Sequence, residues 1–455
     1  MDESTPESRN DASSCGHERG KPEVPPSPPS GEAALRELEM ELQAAESRVP
    51  PDEEKIAELL NSRALIHARL GNGAAAVADI QRSIEWFLSS KPSDHLAIAR
   101  LYATFAESLQ AAGDESAAHD ALTSAIALLE HAVGAEPYEL PACRFRRGCI
   151  SYRRGEYPEA LADIQRYTAW LQSTPCPDPA LTAAAQMWMG VVHLGMRGWR
   201  SADAFLSKAA EWADREPVSE RIRQLPLYRD LLSVRLELED LKGAHEIASK
   251  IIDLLVQMPE RQEDLIPRWY AHRSEIRHRL GLAADAGTDI ELALVAVRSG
   301  LTIEPATVAH WHYLRGSVRR ARHDFAGAEA DFSEAIRLLE SAGSPQLPVL
   351  SSALGERSNA RFHLGNLQGA RADSIRAIEE HQRRDPADTA GLVNLLRGQS
   401  HICCATGDLA SAAEYVNRAI TAVKSCSKAP ASRWADTLVQ LEDLRTTIVE
   451  RRSRA

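Results

Sequence analysis

Large rings are scarce in this chain of 455 residues, where Phe, Trp and Tyr together make up 5%. A core with so few aromatics must be closed by small side chains packed at short range. No apolar run is long enough to span a bilayer, and no N-terminal apolar segment reads as a secretory leader, so no membrane contact is expected. The seven cysteines are odd in number and follow neither disulfide nor zinc spacing. Cys403 and Cys404 are adjacent within an expected helix, a poor geometry for either role. A reducing, cytoplasmic setting is the simplest expectation. A Gly-rich phosphate loop after a strand, HExxH, GxSxG and paired CxxC are all missing, so neither enzyme activity nor a cofactor is expected. His310-Trp311-His312 does not change this, because residues two apart on a helix point about 200° apart and cannot share a metal. A basic excess is missing as well. The formal charge of −12 opposes general binding to nucleic acid or anionic membrane.

What the chain does have is a regular count. Ala76, Ala118, Ala160, Ala202, Ala244, Ala286, Ala328, Ala370 and Ala412 stand 42 residues apart without slippage. Self-similarity at such a period marks stacked supersecondary units rather than a globular enzyme. With this alanine as position 20, the first repeat begins at Ala57. Position 8 is small in eight of nine repeats, which lets two helices cross closely there. Position 15 is often glycine, as in Gly71, Gly113, Gly155, Gly281, Gly365 and Gly407, and proline follows between positions 35 and 40. The pattern predicts a helix A ending near the glycine, a tight turn, a helix B and a proline-marked break. Helix A carries an apolar stripe at positions 3, 7, 10 and 14, a helical period.

The spacing Gly148-x6-Gly155-x-Tyr157-x2-Ala160 resembles a tetratricopeptide repeat. Similar patterns cover residues 57–428, and the 42-residue unit is similar to the family's longer branch, as in kinesin light chains. Repeats 4 and 5 depart from the pattern by lacking the turn glycine. The resemblance implies an all-α, right-handed solenoid of helix-turn-helix repeats whose successive A helices line a concave face. The same count extends to both ends. Residues 32–48 read as an N-terminal capping helix and 431–452 as a C-terminal one, while the Ser-, Pro- and Glu-rich stretch 1–31 reads as a disordered tail.

Two columns co-vary. Position 7 is arginine in five repeats (Arg63, Arg147, Arg273, Arg315 and Arg357), and position 23 is aspartate in the same five (Asp79, Asp163, Asp289, Asp331 and Asp373). Chance would align two such sets about once in 126 arrangements, and co-varying pairs imply contact. The expectation is a buried ion pair joining helices A and B within each repeat. A second ladder, Arg235, Arg277, Arg319 and Arg361, occupies position 11. It lies beside the apolar stripe and is expected to be packed and locally paired.

Opposite the stripe lie positions 2, 5, 9, 12 and 13, which the resemblance turns toward the groove. Repeat 3 places Tyr152 and Arg153 there, and repeat 6 places Arg268, His278 and Arg279. Repeat 7 adds His310, Tyr313 and Arg320; repeat 8 adds Asn359, Phe362 and His363; repeat 9 adds Asn394, Arg397 and His401. His278 and His323 sit near helix ends, where a positive imidazole interacts favourably with the dipole. Arginine forks and aromatic faces suit an extended acidic segment or a C-terminal carboxylate. The expectation is a non-catalytic scaffold or adaptor whose partner is a protein or peptide. A regulatory or sensory subunit for a small peptide effector is the alternative from another class. An RNA-binding superhelix is a third, opposed by the net charge.

Overall fold

The computed structural model describes residues 31–132, 134, 136–258, 264–341, 349–384, 388–426 and 431–454. The described residues form 21 α-helices and no strand. They fall into two compact units, Met1–Arg154 and Gly155–Ala455. The first holds α1 (Gly31–Glu46), α2 (Glu53–Arg69), α3 (Gly73–Ser90), α4 (His95–Ala111), α5 (Glu115–Leu129) and α6 (Glu139–Arg153). The second begins with α7 (Tyr157–Ser173), α8 (Pro179–Gly195), α9 (Trp199–Ala213), α10 (Val218–Arg223), α11 (Leu225–Glu237) and α12 (Leu241–Val256). It continues with α13 (Leu265–Arg279), α14 (Ala283–Arg298), α15 (Pro305–Ala321), α16 (Phe325–Ser341) and α17 (Val349–His363). It closes with α18 (Leu367–Arg384), α19 (Thr389–Ala405), α20 (Leu409–Ser425) and α21 (Ala431–Arg454). Apart from Gly31, which opens α1, the tail 1–31 lies outside the described residues.

Within each unit consecutive helices pack as hairpins and each hairpin stacks on the next, the construction of an α-solenoid. All nine position-20 alanines are fully buried, so this column is where helix B meets its neighbours. Opposite it, position 8 is serine in repeats 6, 8 and 9, glycine in repeats 3, 4 and 7, alanine in repeats 1 and 2, and leucine in repeat 5. Ser274, Ser358 and Ser400 donate their hydroxyls to the carbonyls of Ala286, Ala370 and Ala412 at 2.7, 2.8 and 2.9 Å. At Gly190 and Gly316 a Cβ would stand 2.5 and 2.7 Å from the side chains of Leu206 and Phe332. In these five repeats the crossing either holds a bonded hydroxyl or, at glycine, yields its space to a large neighbour.

The turns hold the register. In repeat 1, Gly71 has φ +79°, its N–H bonds Ala68 O at 3.1 Å, and Asn72 N–H reaches back to His67 O at 2.9 Å. That is the Schellman arrangement, which needs a left-handed residue. In repeats 4, 5 and 7 the same position is Arg197, Glu239 and His323, and each still adopts φ of +59 to +62°. The Arg197 turn repeats both bonds, to Leu194 O at 3.0 Å and from Gly198 to His193 O at 2.8 Å. Helix B then starts on a side-chain cap in several repeats, with Asp114, Asp240 and Asp408 accepting from Ala117, Gly243 and Ser411 N–H.

One element departs from the two-helix reading. The segment after α9 was expected only to break at its proline, but Pro217 stands at the N-terminus of α10. Proline's fixed φ suits the start of a helix as well as it ends one.

Candidate functional site

The position-7 arginines are tied into the frame. Arg63 donates through Nε and Nη2 to both Asp79 oxygens at 2.7 Å. Arg273 does the same to Asp289 at 2.9 and 2.8 Å, and Arg357 to Asp373 at 2.8 and 2.7 Å. Arg315 Nη2 reaches Asp331 at 2.6 Å. Arg147 and Asp163 fall in different units.

Two further ties were not anticipated. The position-11 arginines share the same carboxylates: Arg277 bonds Asp289 at 2.7 Å, Arg319 bonds Asp331 at 2.8 Å, and Arg361 bonds Asp373 at 2.8 Å. Repeat 5 has no aspartate at position 23, and its Arg235 turns to Asp203 of the preceding helix pair at 3.3 Å. In addition, Nη1 of the position-7 arginine reaches position 25 of the preceding repeat. Arg273 meets Ser249 at 3.2 Å, Arg315 meets Glu291 at 2.8 Å, and Arg357 meets Ser333 at 3.2 Å. Within the first unit, Arg147 meets Thr123 at 3.3 Å. Burial opposes the Asp331 carboxylate, but hydrogen bonds from His312 and Arg315 and the nearby arginine charges outweigh it and lower its pKa.

The other candidates divide among several places. In the first unit, Tyr152 stands beside Arg153, whose Nε is engaged by Glu115. In the second, Arg268 and His310 line a hollow of about 460 Å³ with Glu275 and Glu304. Arg279 is exposed, and burial, then the charge of Arg320, lowers the pKa of His278. Burial there opposes the positive form that the helix end alone would favour. Arg320 Nε lies 2.7 Å from Glu356 Oε2, so its charge is already met.

A larger cavity, of about 880 Å³, opens between α17, α19 and α21. It gathers Tyr313, Asn359, Phe362, His363, Asn394, Arg397 and His401. Three features of it escaped the sequence reading. Gly355, Gly391 and Gly398 line it, and a Cβ on Gly398 would meet nothing within 4 Å, so the missing side chain is part of the space. Gln440 and Leu444 of the terminal helix also line it. Glu356, at position 6 and thus off the face opposite the stripe, faces it as well.

Within the cavity and among the described residues, Arg397 bonds only amide oxygens, Gln440 Oε1 and Asn394 Oδ1, both at 3.3 Å. His363 stacks on Phe325, with centroids 4.3 Å apart and planes 14° apart. Burial and then Arg397 lower the His401 pKa, and burial raises those of Tyr313 and Glu356. Among the described residues no group of three or more His, Cys, Asp or Glu is placed to hold a metal. Nor is any helix there long and apolar enough to cross a membrane.

Stacked hairpins, left-handed turns and small-residue crossings define a helical-repeat protein of the solenoid class. The chain resembles the tetratricopeptide repeat proteins, and residues 55–131 match the family model described as Tetratricopeptide repeat. No curated protein matches the chain. Among solved structures it is similar to BtubC (BKLC) from P. vanneervenii, at 18% identity over 52% of this chain and 93% of that one, with a TM-score of 0.43. It is also similar to a signal-transduction ATPase with numerous domains and a tetratricopeptide repeat sensor from Pyrococcus horikoshii. There the identity is 11% over 86% of this chain and 55% of that one, with a TM-score of 0.49. Likenesses this distant carry no information on partner or activity.

Proposed function

We propose that the second unit is a non-catalytic scaffold that holds an extended, acidic protein segment along its A helices, anchored in the cavity between α17, α19 and α21. One observation carries the reading. Among the described residues, Arg397 meets no carboxylate at ion-pair distance, although it stands in a cavity with amide and aromatic neighbours. A guanidinium placed so is suited to an incoming carboxylate, which it can engage through two parallel bonds. In this reading the chain acts in a reducing, cytoplasmic setting, which suits free thiols such as the exposed Cys176.

Gly398→Trp supplies the test, because its new side chain projects into open space. On an array of acidic peptides the wild type should bind and Gly398→Trp should not, while both keep the same melting temperature. Equal binding by the two proteins would remove the cavity from the reading.

A further inference from the structure

The cavity between α17, α19 and α21 carries two opposite charges, and neither is fully answered. Glu356 stands on α17 and Arg397 on α19, adjoining A helices that pack against each other. Among the described residues Arg320 is the one cation at ion-pair distance from Glu356. That contact falls short of offsetting the carboxylate's burial, since its pKa stays above the usual carboxylate range with Arg320 beside it. A second cation would stabilise the ionised form. Across the cavity, Arg397 has only the neutral amides of Asn394 and Gln440. The remaining lining carboxylate, Asp388, is occupied at the start of α19, where its Oδ1 accepts from Gly391 N–H at 3.0 Å. His401, which also lines the cavity, has its pKa lowered by burial and then by Arg397.

A uniformly acidic segment would therefore bring a carboxylate against Glu356, and a uniformly basic one would bring a cation against Arg397. We propose that the cavity reads a bipolar peptide, with one basic side chain directed to Glu356 and one acidic side chain to Arg397. The proposal rests on the peptide-binding reading above and sharpens its partner. Glu356 and Arg397 stand one position apart in the repeat register on neighbouring helices, so their separation is about one interhelical spacing, 8–10 Å. In an extended peptide that spacing matches side chains about two or three residues apart.

The experiment uses the full chain and an array of short peptides with an Ala/Ser background. Each carries one Lys and one Glu at every separation and in both orders, beside Glu-only, Lys-only and neutral peptides. The wild type should prefer one order at one spacing by about tenfold over Glu-only peptides. Glu356→Gln should abolish the advantage conferred by Lys while keeping the need for Glu. Arg397→Gln should do the reverse. Glu356→Asp, which withdraws the carboxylate without removing it, should weaken the Lys advantage and separates loss of reach from loss of charge.

Two results overturn the proposal: Glu-only peptides binding the wild type as well as the best Lys/Glu peptide, or Glu356→Gln leaving the Lys preference intact. If Glu-only peptides bind and depend on Arg397, the scaffold reading stands and the bipolar one falls. If no peptide binds, both fall.

Discussion

The Ser358 hydroxyl donates to the backbone carbonyl of Ala370 at 2.8 Å, across the closest approach of α17 and α18. Neither residue contributes bulk. One has a hydroxyl that would be costly to bury unbonded, the other an already bonded helical carbonyl with a spare lone pair. Where serine gives way to glycine, as at Gly316, the space passes to the ring of Phe332. The crossing is thus closed by two unlike means.

Gly316→Ala should therefore destabilise the chain by about 1–3 kcal/mol through overpacking. Adding Phe332→Leu should recover part of the loss. Urea denaturation followed by circular dichroism checks both, and a Gly316→Ala protein as stable as wild type would contradict the packing account.

Asp373 accepts from Arg357 and Arg361, whereas Asp79 accepts from Arg63. Asp373→Asn should cost about 3–5 kcal/mol because it leaves Arg357 without a carboxylate and Arg361 with Glu329 alone. Asp79→Asn, at a more exposed pair, should cost clearly less. The ordering is what the same denaturation series should show.

Arg197, Glu239 and His323 each pay for a left-handed turn that glycine adopts freely. Replacing any one by glycine should raise stability by about 0.5–1 kcal/mol. Gly281→Arg should lower it. Thermal melts of the four variants test the sign in both directions.

Glu356 has a raised folded-state pKa, caused by burial. Folding then binds a proton more tightly than the unfolded chain does, so the cost is absent at low pH and appears as pH rises through the unfolded-state value of about 4.3. Glu356→Gln should accordingly melt higher than wild type at neutral pH, with the gap closing in acid. Asp331 has the opposite sign. Its lowered pKa supplies stability at neutral pH that disappears as pH falls through the folded-state value. Melting curves of Glu356→Gln and Asp331→Asn against pH should diverge in these opposite senses.

The helical hairpins were legible because a count survives local exceptions: the turns at Arg197, Glu239 and His323 sit where the register puts them, without the glycine that usually marks the place. Columns 7 and 23 were legible as a pair because both change together. The share of Asp289, Asp331 and Asp373 taken by position 11 was not, since Arg235 occurs without such an aspartate, and Asp79 without such an arginine. The cavity was half legible. Asn359, Asn394 and Arg397 follow from the helical face, but its space comes from glycines and its wall partly from α21. Position counting also could not anticipate that Glu356 would meet the charge of Arg320.

The arginine that reaches both its own helix pair and the preceding one is present in repeats 6, 7 and 8, but in repeat 9 position 7 is Gln399. That side chain is fully buried, its amide nitrogen faces only the Cys403 sulfur at 3.8 Å, and its oxygen is unbonded. The junction before α19 is then held by apolar contact, by the partly exposed Arg371–Asp408 pair and by the buried His381 ring, whose Nε2 lies 2.9 Å from the Asp388 carbonyl oxygen. No position-7 arginine reaches across that junction, so among the junctions entering repeats 6 to 9 it lacks the polar tie the other three share.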